Sequence, residues 1–141
     1  MLQLSRAVYD AVIAHCKERY PKEACGLLAG AGLGLADDAA RVARACFVMR
    51  NVEDSPVGYA MDPKEQLTVM RRMREQGQHL LAIYHSHTAS PAYPSAVDVS
   101  LAISPDISYV LVSLQSLENP DLQSYRIDGK TVVPEAVEVA P

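Results

Sequence analysis

The spacing of apolar positions divides the chain into alternating helical and extended stretches. Val8, Val12 and Cys16, flanked by Tyr9 and Ile13, recur at helical intervals and predict an amphipathic helix. Ser5 is placed to cap it, and Pro21 to end it near Tyr20. Glu23 to Gly30 reads as a short apolar strand closed by the glycine-rich turn Gly30-Ala31-Gly32-Leu33-Gly34. Val42 to Met49 reads as a second strand. Asn51 to Met61 reads as an extended loop, because Pro56 and Gly58 block regular structure.

Asp62-Pro63-Lys64-Glu65 is a helix start, with an N-cap, a proline at the first helical position and a glutamate at the third. Leu67, Met70 and Met73 are then expected to face inward, and Gly77 to end the helix. The run Leu80-Leu81-Ala82-Ile83-Tyr84 predicts a buried strand that continues into His85 and His87. A short helix opens at Ser95 and runs to about Ile103, halted by Pro105. Ser108 to Leu114 predicts a central strand. Leu122 to Ile127 and Lys130 to Val133 flank Asp128-Gly129, a two-residue hairpin turn. About six strands and three helices in this order predict an α/β fold, a mixed sheet with helices on both faces. The 141 residues fit a single domain over 1–141.

Composition narrows the function classes. Apolar residues make up 49% and charged ones 21%, the balance of a soluble domain able to bury a core. The net charge of −4, with no basic cluster beyond Arg71-Arg72 and Arg74 on a helix, argues against nucleic acid as a partner. No apolar run is long enough to span a membrane. Met1 to Leu4 lacks a positive n-region, and Asp10 and His15 interrupt the apolar residues after it, so a cytoplasmic location is expected. Cys16, Cys25 and Cys46 form no C-x-x-C pair and read as buried free thiols. The glycine-rich turn lacks the lysine and spacing of a phosphate loop.

The chemistry concentrates between His85 and Asp98, which reads HSHTASPAYPSAVD. Alternation along a strand sends His85 and His87 to one face and Ser86 to the other. An i, i+3 pair on a helix lets Ser95 and Asp98 point at the same spot. Two imidazoles and a carboxylate suit a divalent metal, and three ligands leave open the fourth position of a catalytic zinc site. The plainer reading of Ser95-x-x-Asp98 is a helix cap with its acidic partner. His79 lies roughly 20 Å up the strand from His85, too far to join them. His15, near the end of the first helix, sits where a cation is comfortable. Cys25 shares strand parity with Glu23, which leaves it either near the site or in the core.

His85-Ser86-His87, seven residues, then Ser95-Ala96-Val97-Asp98 resembles the JAMM/MPN+ metallopeptidase motif at every defined position. The upstream Glu23-Ala24-Cys25-Gly26-Leu27-Leu28-Ala29-Gly30 resembles the family's glutamate-bearing strand. Thr88 departs from the proline that many members carry there, at a position that is not a ligand. The resemblance is closest to the bacterial Mec-type branch, on EACGLLAG, the loop around Asn51 and Tyr59-Ala60-Met61-Asp62, YHSHTASPAYPS and YVLVS. It implies a cytidine-deaminase-like (JAMM/MPN) sandwich and a Zn²⁺ held by His85, His87 and Asp98. It implies Glu23 as general base and acid, and Ser95 as donor to the developing oxyanion. It also implies a peptidase or isopeptidase cutting after the C-terminal glycines of a ubiquitin-like sulfur-carrier protein, with release of cysteine for cysteine biosynthesis. The folded carrier would dock on the loops around Tyr59 and Tyr93, tyrosine being a frequent interface anchor. An inactive scaffold of the MPN type and a general small-substrate metallopeptidase stay open as alternatives. The oligomeric state is open too, a homodimer included.

Overall fold

The computed structural model describes residues 1–31 and 41–141. The part of the glycine-rich turn at Gly32, Leu33 and Gly34 lies outside the described residues. The elements run β1 (Leu2–Leu4), α1 (Arg6–Arg19), β2 (Cys25–Gly30), β3 (Val42–Ala43), β4 (Ala45–Met49), α2 (Pro63–Glu75) and β5 (His79–His87). Then come α3 (Ala96–Ser100), β6 (Ser108–Ser113), β7 (Asp121–Asp128), β8 (Thr131–Glu135) and β9 (Val137–Val139).

The main sheet has the order β4-β2-β5-β6-β7-β8. Its β5–β6 pair is parallel and the other pairs are antiparallel, so the sheet is mixed. Alternation splits the side chains between two cores. Leu28, Tyr84, Val110 and Val112 pack with Val8, Val12 and Cys16 of α1 on one face. Cys25, Leu27, Ile83 and Tyr109 pack with Val69 and Met73 of α2 on the other. The expected sandwich with helices on both faces is therefore the observed one.

Local signals account for the helix limits. Ser5 Oγ accepts from Val8 N–H, and Asp62 accepts from Lys64 N–H ahead of Pro63. Gly77 takes φ +70, a conformation that favours glycine, just past α2. On α2 the expected facing was wrong in one place. Leu67 is 57% exposed, and the buried positions are Val69 and Met73. The hairpin turn also lies one residue later than expected. Asp128 pairs with Thr131, so Gly129 and Lys130 form the turn, with Gly129 at φ +61.

A three-stranded parallel sheet, β3-β1-β9, was not anticipated. Its strands are two or three residues long, too short to show a period. The stretch expected as one strand over Val42 to Met49 breaks at Arg44, whose N–H donates to Ala29 O (2.9 Å). Its first part joins β1 and its second joins β2. The shielded side chain of Glu135 binds this region together, accepting from Ser108, Ser124 and Arg41. Arg41 also donates to Leu81 O (3.1 Å).

Gly26, opposite Tyr84 in the β2–β5 pairing, has the Tyr84 ring lying over it. A methyl group at Gly26 would overlap that ring, and the Tyr84 hydroxyl is anchored on His15 Nδ1 at 2.7 Å. Gly26→Ala is expected to cost about 1–3 kcal/mol, the usual scale of overpacking. Urea unfolding followed by circular dichroism checks it, and an unchanged midpoint would contradict the tight packing described.

Candidate metal centre

β5 delivers two imidazoles to one face because its central position leaves no freedom to slip. It pairs with β2 on one side and β6 on the other, which sets His85 opposite Cys25 and Leu111. His85 and His87 are buried, at 4% and 5% exposure. Their Nε2 atoms approach to 3.2 Å. Asp98 Oδ2 completes the triangle, 3.2 Å from His85 Nε2 and 3.1 Å from His87 Nε2.

The donor set fits a tetrahedral ion. Bonds of about 2.0–2.1 Å to nitrogen and oxygen place tetrahedral corners about 3.3 Å apart, close to the observed edges. The outer contacts fit as well. His87 Nδ1 lies 2.9 Å from the Pro91 carbonyl. Donation there leaves Nε2 as a lone pair toward the triangle, the usual orientation of a ligating imidazole. Tyr59 stacks on His85 with ring centroids 4.5 Å apart. His85, His87 and Asp98 form the group of close donor atoms found among the described residues, and Cys25 is outside it.

The two readings of Ser95-x-x-Asp98 both hold. Ser95 Oγ accepts from Asp98 N–H (3.1 Å), and Asp98 Oδ2 accepts from Ser95 N–H (2.9 Å), a capping box. The same Asp98 oxygen faces both histidines. The Ser95 hydroxyl proton stays available, since accepting uses only a lone pair.

Glu23 precedes β2 by two residues and is held by four hydrogen bonds at itself and Ala24. Its N–H donates to Ser55 O (2.9 Å), and its carbonyl accepts from Asn51 Nδ2 (3.0 Å). The next residue, Ala24, donates to Ser86 Oγ (2.8 Å) and accepts from Ser86 N–H (3.0 Å). Ser86, on the face of β5 away from the histidines, thereby carries the β2–β5 pairing one step further, to Ala24 beside Glu23. Glu23, His87, Ser95 and Asp98 line one open cleft of about 450 Å³, with Glu53, Val57, Tyr59 and Leu101 among its walls. A larger hollow of about 870 Å³ over α1 and β4 contains none of the triangle.

The electrostatics reflect burial and contact. Burial pushes the Glu23 carboxyl up to about 7, with Asp98 and Glu53 adding to the rise and His87 opposing it. Burial would raise Asp98 too, but its hydrogen bonds to His85 and His87 outweigh that and hold it well below the usual carboxylate range. Burial lowers His85. For His87 the burial penalty is outweighed by hydrogen bonds to Asp98 and Pro91, leaving it raised.

The other candidates are not part of the donor triangle. Cys25 is fully buried and burial pushes its thiol up to about 12, so it is a neutral core residue. His79 is exposed at the far end of β5. His15 is not the solvated cation expected of it. It is buried against Tyr84, and burial lowers its pKa. Tyr59 is half-buried, stacked on His85 and packed against the α2-side core, and it lines the cleft. Tyr93 remains 54% exposed, edge-on to Tyr125. Sequence reasoning gave Ser86 and Asn51 no role at the site. The only signal at Asn51 was that its loop is one of the stretches carrying the family resemblance.

Residues 5–128 match the model of the prokaryotic homologs of the JAB domain. The chain is 42% identical over 139 residues to the CysO-cysteine peptidase of Mycobacterium tuberculosis, covering 99% of this chain and 91% of that protein. It is 32% identical over 117 residues to a desampylase of Haloferax volcanii, covering 79% and 80%. Among solved structures it is similar to protein DSY2949 from Desulfitobacterium hafniense, with a TM-score of 0.87 and 36% identity over 99% of this chain and 93% of that one.

The donor triangle leads us to expect one divalent ion per chain, retained through gel filtration and lost in His87→Ala. Metal analysis by mass spectrometry reads both. Wild-type protein that takes up no ion at saturating zinc would remove the metal centre.

Proposed function

The chain belongs to the prokaryotic JAB (JAMM/MPN+) family, and from that premise we propose that it is a zinc peptidase or isopeptidase acting on a ubiquitin-like sulfur-carrier protein. It hydrolyses the bond after the carrier's C-terminal glycines and releases cysteine for cysteine biosynthesis. The observation that carries this reading is the meeting of Glu23, His87, Ser95 and Asp98 in one cleft. The whole chain acts as one catalytic domain. Its free thiols suit a reducing cytoplasm, and among the described residues no helix is long and apolar enough to cross a membrane.

His85, His87 and Asp98 would hold the zinc. When bound, zinc supplies a Lewis acid that acidifies water and polarises a carbonyl. Glu23, with a carboxyl near neutrality, takes the proton of the attacking water and returns it to the leaving amine. Ser95 Oγ donates to the carbonyl oxygen as negative charge builds on it, a role worth about 3 kcal/mol. Tyr59 holds the His85 ring by stacking. The cleft, at about 450 Å³, has room for a few small residues, which suits a glycine-ending tail. Main-chain pairing of such a tail is sequence-tolerant, so recognition needs the carrier's folded body on the exposed rim, where Val57 and Val97 stand, and on exposed Tyr93 in the loop before Ser95. The presence of all five expected residue types argues against an inactive scaffold.

Incubation with a carrier extended at its C-terminus, followed by intact mass, is the test. Loss of the extension is expected, at a kcat/KM well above that for the isolated tail peptide. Equal values would favour a general small-substrate peptidase. Glu23→Gln is expected to keep zinc and lose turnover by at least about a hundredfold, and a rate within a few-fold of wild type would take Glu23 out of the mechanism. The base must be ionised to act, so kcat/KM falls as pH drops through the Glu23 pKa. That value is about 7 without the ion, and a bound cation moves it lower. The acidic limb therefore lies below pH 7 and disappears from the residual activity of Glu23→Gln.

A further inference from the structure

Asn51 lies just past β4 and is 5% exposed. Its Nδ2 donates to the carbonyls of Glu23 and Gly58, each at 3.0 Å. Its Oδ1 accepts from the N–H groups of Glu53 (3.1 Å) and Ala60 (3.0 Å). Two donors and two lone pairs are the full capacity of a side-chain amide. Three of these bonds close the loop from 51 to 60 on itself. The fourth leaves the loop for the backbone of Glu23.

That fourth bond has a counterpart. The N–H of Glu23 donates to Ser55 O in the same loop (2.9 Å). Glu23 lies before β2 and has no strand partner of its own, so the loop grips it from both sides. The loop also supplies Glu53, Val57 and Gly58 to the cleft wall and stacks Tyr59 on His85. One side chain thus joins the general base, the wall of the cleft and the support of a ligand.

We infer that Asn51 is a positioning residue that fixes the Glu23 carboxylate relative to the cleft. This rests on the reading of Glu23 as proton carrier. Asparagine suits the place because aspartate would set charge against two carbonyls, and serine cannot reach in both directions at once.

Amide hydrogen exchange and turnover test it together. Asn51→Ser, and separately Asn51→Asp, should each bind one zinc. Exchange at the Glu23 amide should rise at least about tenfold while the β5–β6 ladder keeps its protection, a local opening. In Asn51→Asp the Glu53 and Ala60 amides should stay protected, because the carboxylate still accepts from them. Turnover of the carrier conjugate should fall roughly ten- to a hundredfold, the scale of a misplaced catalytic group. In a Glu23→Gln background the same substitution should change turnover by less than about threefold, since both act through one group. An unchanged Glu23 amide, uniform acceleration across the sheet, or an equal fold-loss in both backgrounds would overturn the inference. Failure of both variants to fold with zinc would assign Asn51 to stability instead, and would overturn it too. A wild-type protein that cuts no carrier would defeat the functional reading alone, because the exchange result needs no substrate.

Discussion

The antiparallel register of β2 against β5 is the constraint on which the site depends. Cys25 faces His85, and Ala24 exchanges hydrogen bonds with Ser86 one step beyond. A slip of one residue would turn both histidines into the core under α1 and expose Ser86 in their place. Gly26 guards against that slip, because a residue with a side chain could not lie under the Tyr84 ring. β6 holds the other edge of β5 in parallel register. The two histidines are therefore aligned by the packing of the whole sheet, and Glu23 is carried to them by the same pairing.

The cleft uses structural devices twice. The Ser95–Asp98 capping box starts α3 and also aims a carboxylate oxygen at two imidazoles. Tyr59 packs against the α2-side core, lines the cleft and supports His85. Such double use leaves the donor atoms little freedom before any ion arrives, which is what a site of defined geometry needs. Crowding two imidazoles and a carboxylate in a buried place would be costly without a partner charge, and a divalent cation supplies one. The shift of Glu23 toward neutrality has the same origin, since it is buried beside Asp98 and Glu53.

What was legible in the sequence was local. His85-x-His87 and Ser95-x-x-Asp98 are fixed by strand and helix periods, so their convergence could be read from spacing. The helix starts at Ser5 and Asp62 and the stop at Gly77 were readable for the same reason. Placing Glu23 needed the β2–β5 pairing across about sixty residues, which spacing does not encode; only the family resemblance suggested it. β1 and β9 were invisible because three residues show no period, and they form only by pairing with each other's neighbourhood. Leu67 looked inward by residue type but lies on the solvent side of α2, where Val69 and Met73 take the core. His15 was misjudged because burial, not sequence position, decides whether such a side chain meets water. Ser86 gains its meaning from Ala24, and Asn51 from Glu23, backbone partners far along the chain.

Everything proposed for the cleft requires a zinc held by two imidazoles and one carboxylate. X-ray absorption at the zinc edge of the loaded protein tests this arrangement most directly. About two imidazole nitrogens and two oxygens near 2.0–2.1 Å, with no sulfur, are expected in the shell around the ion. A sulfur scatterer near 2.3 Å would bring Cys25 into the shell and contradict it.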